Sequence, residues 1–150
     1  MSDFVNLDNT ARPDTSGSAY NKVIDKIKQD GVCPFCPENF LAYHKNPIIQ
    51  EGIYWLMTNN MYPYENVKYH ILILHKAHIE TVTEISPVAW NELKSMVDGF
   101  TKDTGLLGGS LLMRFGDTRY TGATVRHLHA NLISPDVENP NRKPIITRVG

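Results

Sequence analysis

In Val125-Arg126-His127-Leu128-His129-Ala130-Asn131-Leu132-Ile133, imidazole or amide side chains alternate with apolar ones. If the run is extended, successive side chains point to opposite faces, so His127, His129 and Asn131 share one side and Leu128, Ala130 and Leu132 the other. Same-face neighbours lie about 6.6 Å apart, so one end of such a row can meet a metal ion while the other meets a phosphate. The competing reading is a half-buried strand with a polar wet face. A second group with chemical capacity is Cys33-Pro34-Phe35-Cys36, followed by Pro37-Glu38-Asn39-Phe40. Pro34 and Pro37 fix φ and remove backbone donors, so this segment reads as a rigid knuckle, neither helix nor strand. A redox pair belongs between the strand and helix of a βαβ unit, whereas this pair follows a helical pattern and precedes a polar loop. Two thiolates in a turn suit one tetrahedral zinc ion, which needs two further ligands. His44, His70, His75, His78, His127 and His129 all qualify by type, and spacing alone leaves the choice open.

The elements that must position these groups follow from composition and pattern. A chain of 150 residues with 41% hydrophobic content can bury one core, and it reads as one domain. The net charge of −1 supplies no basic field for extended nucleic acid. No apolar run reaches the roughly 18 residues a membrane span needs, and no leader pattern opens the chain, so a cytoplasmic location is expected. Residues 1–17 read as a flexible arm, 18–138 as the folded domain and 139–150 as a mildly basic tail. Ser18 is placed to cap a helix carrying Tyr20, Val23, Ile24 and Ile27 on one stripe, stopped by Gly31. Strands are expected over 47–50, 53–58, 70–75, 110–115 and 125–133. The run His70-Ile71-Leu72-Ile73-Leu74-His75 reads as central and buried on both faces. Ser86-Pro87 opens a second helix through Trp90, Leu93, Met96, Val97 and Phe100, with Gly105 as its stop. Residues 116–124 read as a loop.

With those residues in view, a family resemblance emerges. His127-Leu128-His129-Ala130-Asn131-Leu132-Ile133 resembles the signature of the histidine-triad (HIT) superfamily, and Tyr69-His70-Ile71-Leu72-Ile73-Leu74-His75-Lys76-Ala77-His78-Ile79-Glu80 resembles its strand-and-turn segment. Gly122-Ala123-Thr124-Val125 is similar to its phosphate-contacting approach, and Cys33 to Asn39 closely resembles the zinc knuckle of the galactose-1-phosphate uridylyltransferase branch. The four motifs stand in the family's order from about Gly31 to Ile133.

The resemblance implies an α+β fold with about five antiparallel strands and two packed helices, in a homodimer. It implies a structural zinc ion held by Cys33, Cys36, His78 and His127, a closed and charge-neutral shell. It implies catalysis by His129, whose neutral imidazole attacks the α-phosphorus of a nucleotide conjugate or dinucleoside polyphosphate to give a nucleotidyl-histidine intermediate. Asn60 matches the ribose-contacting position, while Gly122, Ala123, Thr124 and Val125 match the phosphate-contacting ones, with glycine allowing close backbone approach. Arg114 and Arg119 add candidate charge, and Arg126 points away from the histidine face. The pattern departs from the family's at Asn131, where a third histidine is expected and an amide stands instead. An amide offers a neutral hydrogen bond and no transferable proton, which favours transfer or phosphorolysis over simple hydrolysis. Two other classes stay open: a nucleotide-binding protein without turnover, and a zinc-stabilised interaction module.

Overall fold

The computed structural model describes residues 4–9 and 19–150, so Ser18 and the rest of the arm lie outside the described residues. Five strands form one antiparallel sheet: β1 (Ile48–Glu51), β2 (Trp55–Asn59), β3 (Val67–His75), β4 (Ser110–Arg114) and β5 (His129–Pro135). Their order is β1-β2-β3-β5-β4, so β3 and β5 are interior and carry the densest apolar runs. Residues 71 to 75 of β3 are all buried, as expected for a strand covered on both faces. Strand limits move from the sequence expectation by up to four residues, the most at the start of β5.

Helices α1 (Ala19–Asp30) and α3 (Pro87–Thr104) are those expected from the apolar stripes. In α3 the Ser86 hydroxyl accepts from the Ala89 N–H, Pro87 takes the first turn, and Gly105 closes the helix at φ 66°. One face of α3 buries Ala89, Leu93, Met96 and Phe100 against Trp55, Met57, Ile71, Ile73, Ala130 and Leu132 of the sheet. The Trp55 indole N–H donates to the Ala89 carbonyl at 2.7 Å, satisfying the one polar atom that the ring brings into this core.

Two expectations need correction. The knuckle stops being irregular at Pro37, because Pro37–Tyr43 is a helix, α2. Proline suits the first turn of a helix, where its missing N–H has no intrahelical partner to lose. Likewise α4 (Thr118–Thr121) interrupts the loop expected over 116–124, with the Asp117 carboxylate capping it and Gly122 ending it. The helices therefore number more than the two expected.

The opposite sheet face is covered differently. Phe40 of α2 packs on Leu72 and Leu74, while Ile24 and Ile27 of α1 pack with Val5 and Val125. Of the arm expected over 1–17, the described stretch 4–9 is bonded to the domain: Val5 bridges to Val125, Asn6 N–H donates to the Thr124 carbonyl, and Arg126 N–H donates to the Phe4 carbonyl. That bonding also explains why β5 begins at His129 and not at Val125. Residues ahead of His129 pair with this N-terminal stretch and with Ile79, whose carbonyl accepts from Leu128 N–H.

Candidate functional site

Although the regular strand starts late, side-chain parity survives. Leu128, Ala130 and Leu132 enter the core beneath α3. His129 and Asn131 line a cavity of about 900 Å³ on the other face. The register sets Leu74 and Arg114 beside His129, and Leu72 and Leu112 beside Asn131. His127 turns from the cavity toward the knuckle.

There it joins Cys33, Cys36 and His78, whose ligating atoms all lie within 4.8 Å of one another. His127 Nδ1 is 3.3 Å from Cys33 Sγ, 3.8 Å from Cys36 Sγ and 3.2 Å from His78 Nδ1, and His78 Nδ1 is 3.4 Å from Cys36 Sγ. A tetrahedron built on Zn–S of 2.3 Å and Zn–N of about 2.05 Å has S–N edges of about 3.5 Å and an N–N edge of about 3.3 Å. The observed edges match it. The second shell fits as well: His127 Nε2–H donates to the His75 carbonyl at 2.6 Å, and a Glu80 carboxylate oxygen stands 3.7 Å from His78 Nε2. Burial alone disfavours the thiolates, pushing Cys36 up to about 12 and raising Cys33 as well. A divalent ion reverses that preference, since thiolate is the form that binds. Of the six histidines that spacing left open, geometry brings His78 and His127 to the thiols. His44 bonds Thr58 at 2.8 Å, His70 bonds Asn131 at 2.9 Å, and His75 Nδ1 is 3.0 Å from the Ala77 carbonyl.

His129 stands on the cavity side with its edge toward the Phe35 ring, centroids 5.3 Å apart. Its Nδ1–H donates to the His127 carbonyl at 2.7 Å. That bond places the proton on Nδ1 and leaves the Nε2 lone pair available. Burial, with Arg114 and His70 nearby, holds the ring neutral down to about 4.

The residues singled out as contacts, Asn60, Gly122, Ala123, Thr124 and Val125, all line the same cavity. Their backbone donors are not equivalent. Gly122 N–H is taken by the Thr118 carbonyl and Ala123 N–H by the Thr121 hydroxyl. Thr124 and Val125 N–H have no partner among the described residues. The Thr124 hydroxyl accepts from Tyr20 OH at 3.0 Å, and the Asn60 amide oxygen accepts from Tyr62 N–H at 2.8 Å. Of the two arginines expected to add charge, Arg114 lines the cavity and keeps its charge near His129, whereas that of Arg119 is neutralised. Arg119 is paired with Asp117, and Arg114 spends its guanidinium on the Thr121 carbonyl, the Thr147 hydroxyl and the Arg148 carbonyl. Arg126 reaches Glu80 at 3.4 Å.

Sequence reasoning missed three contributors to this site: Tyr20 on α1, the N-terminal stretch 4–9, and the C-terminal tail, whose Ile146, Thr147 and Arg148 wall the cavity. Tyr20 lay in the apolar stripe and read as core. The partners of the two chain ends carried no local signal.

This geometry has counterparts among solved structures. A hypothetical histidine triad nucleotide-binding protein from Sulfolobus tokodaii strain7 superposes with a TM-score of 0.55 at 25% identity, covering 78% of this chain and 79% of that one. A HIT family hydrolase from Clostridium thermocellum gives 0.56 at 24% identity, over 73% and 95% of the two chains. The chain has the histidine-triad fold. A zinc-bound histidine triad family protein from Mycobacterium smegmatis shares that HIT architecture with a TM-score of 0.53 at 19% identity, over 76% and 84%. Comparison with family models and with curated proteins finds no match.

Proposed function

We propose that this HIT-fold chain is a nucleotide phosphotransfer enzyme, a nucleotidyl transferase or hydrolase acting on the α-phosphate of a nucleotide conjugate or dinucleoside polyphosphate. The observation that carries the reading is the bond from His129 Nδ1–H to the His127 carbonyl, which leaves Nε2 unprotonated at the floor of a cavity of about 900 Å³. A site of that volume lies within the range for small-molecule ligands. The structural neighbours include a histidine triad nucleotide-binding protein, a HIT family hydrolase and a zinc-bound histidine triad protein, which fits this reading.

In this reading the Nε2 lone pair attacks the α-phosphorus, an N–P bond forms, and the P–O bond to the leaving group breaks with its electron pair going to that oxygen. The proton stays on Nδ1, donated to the His127 carbonyl, throughout. Thr124 and Val125 N–H donate to phosphate oxygens, Gly122 and Ala123 shape the approach, and Asn60 meets the ribose hydroxyls. Asn131 donates through its amide and supplies no proton, so leaving groups stable as anions, such as phosphates, depart most readily. Water or a phosphate acceptor then attacks the same phosphorus, the N–P bond breaks with its electron pair returning to Nε2, the proton of an attacking water passes to solvent, and neutral His129 is restored.

Cys33, Cys36, His78 and His127 are assigned to a structural zinc ion. Bound there, zinc closes a four-ligand shell with no open position and ties the knuckle to the start of β5. The same proposal includes a homodimer: β4 is a sheet edge with Leu111 46% exposed. Sedimentation at micromolar concentration should give twice the chain mass, and a monomer would remove the dimer from the proposal.

The deciding experiment incubates the protein with labelled dinucleoside polyphosphate and looks for an acid-labile, alkali-stable nucleotidyl adduct by mass. Adduct on the native chain and none on His129→Ala is the expected result. Binding without an adduct would favour the rival reading, a nucleotide binder without turnover, which the amide at 131 supports. Absence of any nucleotide binding would leave a zinc-stabilised interaction module.

A further inference from the structure

Asn131 does not stand alone at the cavity wall. Its Oδ1 is 2.9 Å from His70 Nε2, and His70 Nδ1 lies 3.1 Å from the backbone N–H of Tyr64. A backbone N–H can only donate, so His70 Nδ1 must be the acceptor. In the neutral ring the proton then sits on Nε2, and the atom of Asn131 that faces it must be the oxygen. A doubly protonated ring would set its Nδ1–H against the Tyr64 N–H, two donors nose to nose in a site where His70 is 5% exposed. The Asn60 amide nitrogen also stands 3.3 Å from Nε2 with its own oxygen committed to Tyr62 N–H, so beside a protonated Nε2 this longer approach is a contact and not a hydrogen bond, and Nε2–H is directed at Asn131 at 2.9 Å. The ring is further held by the Tyr64 phenol ring, with centroids 4.4 Å apart and planes 30° from parallel.

We propose that His70 is a positioning residue: it fixes the Asn131 amide with the oxygen turned inward and the NH2 turned to the cavity, making the third triad position a hydrogen-bond donor only. The two ends of an asparagine amide are nearly equal in size, so without such a partner either could face a ligand. Facing the phosphate with its oxygen, Asn131 would repel the charge it has to meet. With His70 in place the amide offers N–H to phosphate oxygens on every turnover.

The orientation itself does not depend on catalysis, whereas its kinetic effect rests on the reading of His129 as nucleophile. Two measurements on the full chain therefore test it. Long-range ¹H–¹⁵N correlation at neutral pH should show His70 as the Nε2–H tautomer, and an Nδ1–H tautomer or an imidazolium would overturn the proposal. Kinetically, His70→Phe keeps a ring against Tyr64 and removes the donor. It should lower kcat roughly tenfold, the worth of about one hydrogen bond, with KM changed much less, and His70→Gln should recover most of the loss. In an Asn131→Ala background the same His70→Phe change should cost nothing further. An additive effect there would show a merely structural role and overturn the proposal. If neither the native chain nor any variant turns over, the enzyme reading falls and the tautomer decides the proposal by itself.

Discussion

His127 serves three sets of neighbours with three atoms. Its Nδ1 faces the thiols, its Nε2–H is held by the His75 carbonyl, and its own carbonyl accepts from His129 Nδ1–H. Such sharing explains why the polar face of this segment tolerates so much buried imidazole: each ring has a named acceptor, so none is left unpaired. The same accounting gives a pH prediction at His44, where burial lowers the pKa below the ordinary histidine value. The ring donates Nε2–H to the Thr58 hydroxyl, which itself donates to the Pro47 carbonyl. Unfolded, His44 titrates near 6.5; folded, it takes up its proton at a lower pH. The unfolded chain therefore binds more protons in that window, so His44 contributes stability that is complete above about pH 6.5 and lost as pH falls toward the folded value. Denaturant titrations between pH 7.5 and 5 should show stability falling, with a shallower slope in His44→Gln. An unchanged slope in that variant would show that His44 is not the titrating group.

Among elements, the attachment of α3 to the β1–β2 turn is the most exacting. The Glu92 carboxylate accepts three backbone N–H groups, from Ile53, Tyr54 and Trp55, at 2.8, 2.7 and 2.9 Å. Gly52 makes room for it, since a Cβ there would stand 2.5 Å from Glu92 Cδ. Glu92→Ala strands those donors and should cost about 2–3 kcal/mol. In a chain of this length that lowers Tm by roughly 5–10 °C, measured by calorimetry; a shift under two degrees would mean water replaces the carboxylate freely. No sequence pattern announced this contact, because Glu92 reads as one more charged residue on the wet side of an amphipathic helix. Other features were legible. Ser86-Pro87 and Gly105 marked both ends of α3 because capping chemistry is local. The cavity-facing parity of His129 and Asn131 was legible because alternation does not depend on where the strand starts. From the sequence, His70 read as a candidate ligand at the start of a buried strand. Its parity with Leu72 and Leu74 places it on the Asn131 side, yet its role needed the β3–β5 register, which sets Leu72 opposite Asn131.

At the scale of the molecule, the turn from Thr118 to Val125 is held from both ends of the chain. Asn9 donates to the Thr118 and Ala123 carbonyls, while Arg114 and Asp8 hold the tail at Thr147 and Arg148. The metal cluster performs the matching task on the other side of β5, joining residues 33, 36, 78 and 127. If it holds zinc, chelation should lower Tm and one equivalent of zinc per chain should restore it, a stabilisation of about 4 kcal/mol when free metal exceeds Kd a thousandfold. Cys36→Ser should abolish the response, and a chelator-insensitive Tm in the native chain would refute the assignment. Because His127 touches the cluster through its ring and His129 through its carbonyl, the two centres share one peptide unit. Cobalt(II) in place of zinc would turn that shared residue into an optical gauge, its visible absorption shifting each time the neighbouring imidazole gains or sheds its load.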